Sequence, residues 1–261
     1  MSNLGFRGSR GLILGFSGDN CASFHIAKAL ASHGSKIALT SRTSRLEELA
    51  DSAKRAGSEL HLGVDADDEA SMRGAIEQLT SEWGALDFIV HSLVHVPSGV
   101  LARPLTELTK ADFHSVVDIG VLSLIQICGM AAPLLRNSAA PRIVTLSSES
   151  SMLATPNYHV AGIGKAALES ASRYLALELG SHKILCNVVS FSAMDSDGAA
   201  NTIGKENIER TRSHLAKRSM TGLTCDWQHV VNGVLWMCSP MMQNITGQKI
   251  VIDGGYSASY F

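Results

Sequence analysis

Seven short β-rich runs, each followed by a helical stretch or a turn and divided by no proline-rich or low-complexity linker, constrain this 261-residue chain more than any other feature. The runs are GLILGF, KIALTS, ELHLGV, ALDFIV, RIVTLS, ILCNVV and QKIVID. Helical patterning near 22–33, 43–56, 68–83, 110–135, 157–180 and 226–238 fills most of the gaps. Such alternation builds right-handed βαβ units, and hence a parallel sheet with helices on both faces. The expected fold is therefore α/β, a Rossmann-type doubly wound parallel sheet of about seven strands, with residues 1–261 as one domain. Ligands belong at the carboxyl ends of such strands.

Composition narrows the partners. Apolar residues make up 45% and charged residues 18%, a globular balance with no apolar run expected to be long enough to span a bilayer. A net charge of −2 without a sustained basic block lacks the electrostatic footprint of a nucleic-acid binder. The five cysteines (21, 128, 186, 225 and 238) show no CxxC spacing, which suits reduced thiols and a cytoplasmic location. Arg7 and Arg10 precede GLILGF without a small-residue cleavage pattern, so this run reads as a first strand and not as a signal peptide.

The first strand runs into Gly15, Phe16, Ser17, Gly18, Asp19, Asn20, Cys21 and Ala22 before a helix begins. A small-residue turn there can present backbone N–H groups to a dinucleotide pyrophosphate, although GxGxxG is incomplete. The second strand ends in Thr40, Ser41, Arg42 and Thr43, with no carboxylate for an adenosine ribose. Arg42 can instead neutralise a 2′-phosphate, which favours NADPH over NADH. Asp65 and Ala66 close the third strand, where they can meet the adenine.

In PNYHVAGIGKAALES, Tyr158 and Lys165 lie seven residues apart in a segment whose apolar residues recur at helical intervals. Seven steps of about 100° fall about 20° short of two turns, with a rise of roughly 10 Å, so one ligand can be held at two places by a phenol and an ammonium. Asn157 is the expected cap of that helix. His91 and His95 lack a nearby third ligand, so no metal site is expected. Met237, Met241 and Met242 read as packing residues.

From its glycine-bearing first turn to the terminal IVIDGG, the chain resembles the short-chain dehydrogenase/reductase superfamily over essentially its whole length. Members usually carry a tyrosine four residues before the lysine, where this chain has Ala161, and a serine seventeen residues before it, where this chain has Ser148. A tyrosine displaced to 158 resembles the divergent enoyl-acyl-carrier-protein reductases, the FabI-like and FabL-like branch. IVHSL (89–93), SGVLARPLTEL, RYLALEL and GQKIVIDGG agree with it.

This resemblance implies Tyr158, Lys165 and Ser148 as catalytic residues, with Lys165 also on the nicotinamide ribose. It implies cofactor contacts from Gly15, Ser17, Cys21, Ala22, Arg42, Asp65, Ala66, Ser92, Met194 and Ser196. Cys21 departs from the branch's usual serine, and SFSAMDSD departs after the sixth strand. Asp118 falls where the superfamily often has asparagine and this branch aspartate; a structural role fits it equally. The implied reaction is NADPH-dependent reduction of the C2–C3 double bond of a trans-2-enoyl thioester on acyl carrier protein or coenzyme A, by a homotetramer.

The displaced spacing is consistent with that chemistry. Hydride goes to C3 while charge appears on the oxygen attached to C1, so the acid must stand farther from the nicotinamide than in ketone reduction. Three helical residues shift its origin by about 4.5 Å along the axis and about 60° around it. Residues 198–219 are expected to form a helical cover over the acyl chain, locally basic through Lys205, Arg210, Arg212, Lys217 and Arg218. A ketoreductase remains the alternative enzyme, since Ser148 is retained. A non-catalytic NADP(H)-sensing protein is the alternative outside enzymes.

Overall fold

The computed structural model describes residues 4–259, with the side chains of 201–203 excepted. The chain runs β1 (Arg10–Leu14), α1 (Ala22–Ser32), β2 (Lys36–Ser41), α2 (Ala50–Arg55), β3 (Ser58–Gly63), α3 (Glu69–Trp83), β4 (Phe88–His91), α4 (Lys110–Val117) and α5 (Ser123–Arg136). It continues through β5 (Arg142–Ser148), α6 (His159–Gly180), β6 (Leu185–Phe191), α7 (Asp197–Ile203), α8 (Lys205–Arg218), α9 (Trp227–Cys238) and β7 (Lys249–Ile252). All seven expected strands form, in one sheet ordered β3-β2-β1-β4-β5-β6-β7 with every pairing parallel. The order reverses between β1 and β4, which opens a crevice at their carboxyl ends.

The strands lack a simple polar alternation because both faces are covered. Along β1, Leu12 and Leu14 enter one core while Ile13 enters the other. The first core is completed by α3, α5 and α6 through Met72, Leu79, Leu124, Ile127 and Leu168, the second by α1 and α9 through Ile26, Leu30, Val230 and Val234. Helix starts are set by side chains: Asp68 accepts from Ala70 N before α3, and capping boxes pair Thr109 with Asp112 and Asp226 with His229.

Three expectations need correction. The helix expected over 43–56 is a 3-10 turn, Thr43–Arg45, and the short α2; Ser41-Arg42 leads directly into this turn. The helix expected over 110–135 is α4 and α5 joined by a π-helical segment, Asp118–Leu122, which begins at Asp118. That continuous stretch, Lys110–Arg136, contains an 18-residue window of mean hydropathy 1.8 and is by length and composition apolar enough to cross a membrane. The expectation that no such run exists therefore fails. Its physical origin is core packing, since Leu124, Ile127, Cys128, Ala131 and Leu135 are all fully buried against the sheet.

Candidate active site

The end of β5 and the start of α6 bring the three proposed catalytic side chains to one corner. Gly162 permits the approach, because a Cβ there would stand 2.7 Å from the carbonyl oxygen of Ser150. Tyr158 is the N-cap residue of α6 (φ −139°), and its carbonyl accepts from Gly162 N at 2.8 Å. Asn157, expected as the cap, instead adopts φ +57° and only turns the chain into the helix, a conformation that asparagine tolerates better than most residues. Tyr158 therefore stands at the mouth of α6 and not within its first turn.

The Tyr158 ring is half-buried and packs beside Val96 and Leu108 on the edge of a small cluster of Val100, Leu101, Val116 and Val160. Its hydroxyl makes no hydrogen bond among the described residues. Burial, and secondarily the negative charge of Glu149, push the phenol up to about 12, so it stays a proton donor at neutral pH. Lys165 reaches from α6 to donate to the carbonyl of Leu146 at 2.8 Å. Burial brings its ammonium down to about 8 against the opposing charge of Glu169. Ser148 Oγ donates to Ser150 Oγ at 3.1 Å. Each of the three thus has its own local setting, and none bonds directly to another. Ala161, at the superfamily's usual tyrosine position, is buried and lines a narrow crevice with Gly164, Lys165 and His95.

The glycine turn has the features a dinucleotide requires. Gly15 holds φ +87°, and a Cβ there would fall 2.4 Å from the carbonyl oxygen of Ser92, so the β1 and β4 ends close on one another only with glycine. Cys21 is the N-cap of α1 without a side-chain cap, its thiol donating instead to Gly18 O at 3.1 Å. Ala22 opens that helix, and no side chain caps its first backbone N–H groups, a setting that suits a phosphate. Ser17 is exposed in the turn, with its carbonyl accepting from Arg45 Nη1 at 3.3 Å.

Arg42 is exposed at the end of β2, and Asp65 accepts from Thr43 N at 3.3 Å, so β2 and β3 end side by side, with Ala66 half-buried next to Asp65. Arg45, three residues beyond Arg42 in the 3-10 turn, has its guanidinium paired with Glu48 at 2.7 and 3.0 Å. Met194 is buried in the α1/α9 core, and Ser196 accepts from Ala199 N as the cap of α7. The cofactor turn is tied to this segment: Asn20 Nδ2 donates to Asp197 Oδ1 at 3.1 Å, and Trp227 Nε1 donates to Asn20 Oδ1 at 3.3 Å. Helices α7 and α8 occupy the expected cover. An open cavity of about 440 Å³ lies against α8, lined by Asp195, Lys205, Ile208, Arg212 and Thr224 among others.

His91, for which no metal role was expected, is a buried structural residue. It is fully buried between Thr145 Oγ1 (3.1 Å) and Ser123 Oγ (3.0 Å), and burial next to Lys165 holds it neutral at about 3. It braces the β4–β5 seam beneath the site, while His95 lies apart, half-buried at the crevice.

The family profile described as "Enoyl-(Acyl carrier protein) reductase" matches residues 15–257. The enoyl-[acyl-carrier-protein] reductase [NADH] FabI of Aquifex aeolicus is 31% identical over 252 residues, covering 95% of this chain and 91% of that protein. The corresponding reductase [NADH] 2 of Rhizobium meliloti is 30% identical, with 96% and 92% covered. Among solved structures, the reductase of Anaplasma phagocytophilum in complex with NAD superposes with a TM-score of 0.91 at 26% identity, over 98% of this chain and 96% of that one.

Proposed function

The chain belongs to the enoyl-(acyl carrier protein) reductase family, a family of NAD(P)H-dependent oxidoreductases, and from that membership and its site we propose that it reduces the C2–C3 double bond of a trans-2-enoyl thioester. The observation that carries this reading is Tyr158 at the mouth of α6, with Ala161, three residues farther toward Lys165, occupying the usual tyrosine position. A bound nicotinamide supplies the hydride for C3. Tyr158 donates to the thioester carbonyl oxygen and stabilises the enolate charge that grows there, and C2 takes up a proton from solvent as the enolate collapses to the saturated thioester. Because the phenol is held far above neutral pH, it remains the donor throughout the working range. Lys165 would hold the ribose hydroxyls of a bound cofactor and would place a positive charge near the reacting oxygens. Ser148 offers a second hydroxyl at the β5 end.

Gly15, Ser17, Cys21, Ala22 and Ser92 would cradle the pyrophosphate side, Asp65 and Ala66 the adenine, and Met194 and Ser196 the nicotinamide side. Arg42, exposed at the end of β2, supports NADPH. NADH is the second reading, because the similar reductases of Aquifex aeolicus and Rhizobium meliloti carry NADH in their names. Residues 198–219 cover the acyl chain, and the cations of α8 suit an acidic acyl carrier protein or the phosphates of coenzyme A. Fatty acid or related acyl-chain biosynthesis in the cytoplasm fits this substrate, and the five cysteines are free and buried. A homotetramer is supported by exposed apolar side chains on the long helices and the last strand: Ile125, Tyr174, Leu177 and Val251 are 42, 71, 78 and 41% exposed.

Crotonyl and acetoacetyl thioesters, each offered with NADPH and with NADH, test the reading through loss of reduced-cofactor absorbance. Turnover of the crotonyl thioester is expected. Turnover of the acetoacetyl thioester alone would assign a ketoreductase, and cofactor binding without turnover of either would assign a sensor.

A further inference from the structure

The residue after Ser148 is a glutamate, and the structure encloses it. Glu149 is only 7% exposed at the carboxyl end of β5, and its Oε2 is buried without a hydrogen-bond partner among the described residues. Glu149 opens the 3-10 turn Glu149–Ser151, which packs on the first turn of α6 so closely that a Cβ at Gly162 would stand 2.7 Å from the Ser150 carbonyl oxygen. At that range its charge acts on Tyr158 at the mouth of α6 and on Cys225 before α9, and the charge of Asp253 after β7 acts on it in turn. The backbone N–H of Ala193, beyond β6, is the one donor from another element that favours its charged form. Among the described residues, no cation pairs with it.

We infer that Glu149 is a positioning residue that acts through Tyr158: as the neutral acid it lets the phenol stabilise the substrate oxyanion, and as the carboxylate it opposes that charge. This inference rests on the reading of Tyr158 as the donor to the thioester oxygen. The physical argument is one of sign and distance from water. Negative charge builds on the substrate oxygen during reduction, and a second negative charge behind the tyrosine, in a corner with little solvent, raises the cost of that build-up. The same charge weakens the phenol as a donor, since it pushes Tyr158 further from ionisation.

Burial, with Asp253 adding to it, lifts the Glu149 carboxyl to about 7. The neutral form is therefore present below that pH and is lost as pH rises through it. Lys165 titrates separately, at about 8, and loses its charge above that value. Two alkaline steps result, and they have different owners.

The test combines turnover with a readout that needs no substrate. In enzyme carrying carboxyl-¹³C glutamate, the resonance missing from Glu149→Gln is expected to titrate near 7, well above ordinary glutamates. The half-loss of kcat with rising pH is expected to move from about 7 in the parent to about 8 in Glu149→Gln, where Lys165 sets it. Asp253→Asn keeps one of the two acceptors that serve Gly255 N and Ser257 N and removes the charge that adds to the effect of burial on Glu149, so it should shift the resonance and the limb to lower pH. An alkaline limb in the same place in the parent and both variants, or a Glu149 resonance titrating in the ordinary carboxylate range, overturns the inference. Should Glu149→Gln not fold, Asp253→Asn decides. Undiminished enoyl turnover in Tyr158→Phe would instead mark failure of the underlying reading of the tyrosine.

Discussion

The β5–α6 corner and the α7–α8 pair handle charge in opposite ways. At the corner, Glu149 and Glu169 are buried and Lys165 is half-buried, and the environment pushes Glu149 and Lys165 toward their neutral forms. Glu169 is held by Lys249 Nζ at 2.9 Å and Ser147 Oγ at 2.6 Å, so this acid is compensated where Glu149 is not. On α8, by contrast, charged residues sit mostly in solvent, and only Ile208 and Leu215 are buried. Chemistry requires groups shifted from their ordinary behaviour, and a shift requires dense packing. The role proposed for α7 and α8, a cover that admits an acyl chain, would require the reverse: few apolar anchors, which part from their neighbours at small cost.

Substitutions at the corner should therefore remove rate, and substitutions on the cover should alter admission. The largest effect is expected from Tyr158→Phe, which should lower kcat on an enoyl thioester by roughly 10²- to 10⁴-fold, with cofactor affinity retained by fluorescence titration. Unchanged turnover would erase the distinction between the two regions. Lys165→Met should cost about 10²-fold in kcat/KM and weaken cofactor binding as well, through loss of its contacts to the ribose. In the parent, the step owned by Lys165 lies at about 8, with the ammonium present below and lost above; a pH profile of the variant should lack it.

A smaller effect is expected at the adenosine end. Arg42→Ala should lower kcat/KM for NADPH by about tenfold, the equivalent of one charge-assisted contact of about 1.4 kcal/mol, and leave NADH nearly unaffected. Equal losses with both cofactors would mean that Arg42 does not meet a 2′-phosphate. The smallest effect belongs to the cover: Ile208→Ala should raise KM a few-fold while shifting Tm by only about 2–4 °C. Ile13→Ala, in the middle of the sheet, should instead cost about 2–5 kcal/mol of stability by denaturant unfolding. A cover variant as destabilising as the sheet variant would show α8 to be part of the core.

The same contrast governs what could be read from residue order. The strands were legible because a sheet covered on both faces demands continuous β-branched and apolar runs, as in GLILGF and RIVTLS. Tyr158, Lys165 and the glycine turn were legible because local spacing sets their geometry. The π-helical turn at Asp118 was not, since five polar and apolar residues in mid-helix carry no period of their own. Glu149 was missed because SSES reads as a polar strand end, and its burial comes from segments after β6 and β7. Glu169 meets Lys249 across 80 residues, and Asn20 meets Asp197 across 177. Contacts at such separations are written in the topology, which periodicity does not encode.

The most direct measurement follows deuterium from cofactor labelled at the reactive C4 position into the acyl product of a trans-2-enoyl thioester, located by NMR. With Tyr158 on the carbonyl oxygen, the label should appear at C3 of a saturated acyl thioester, and its rate of appearance should collapse in Tyr158→Phe. Label found only on a hydroxyl-bearing carbon after a β-ketoacyl thioester is supplied, with none in any saturated product, would contradict the account.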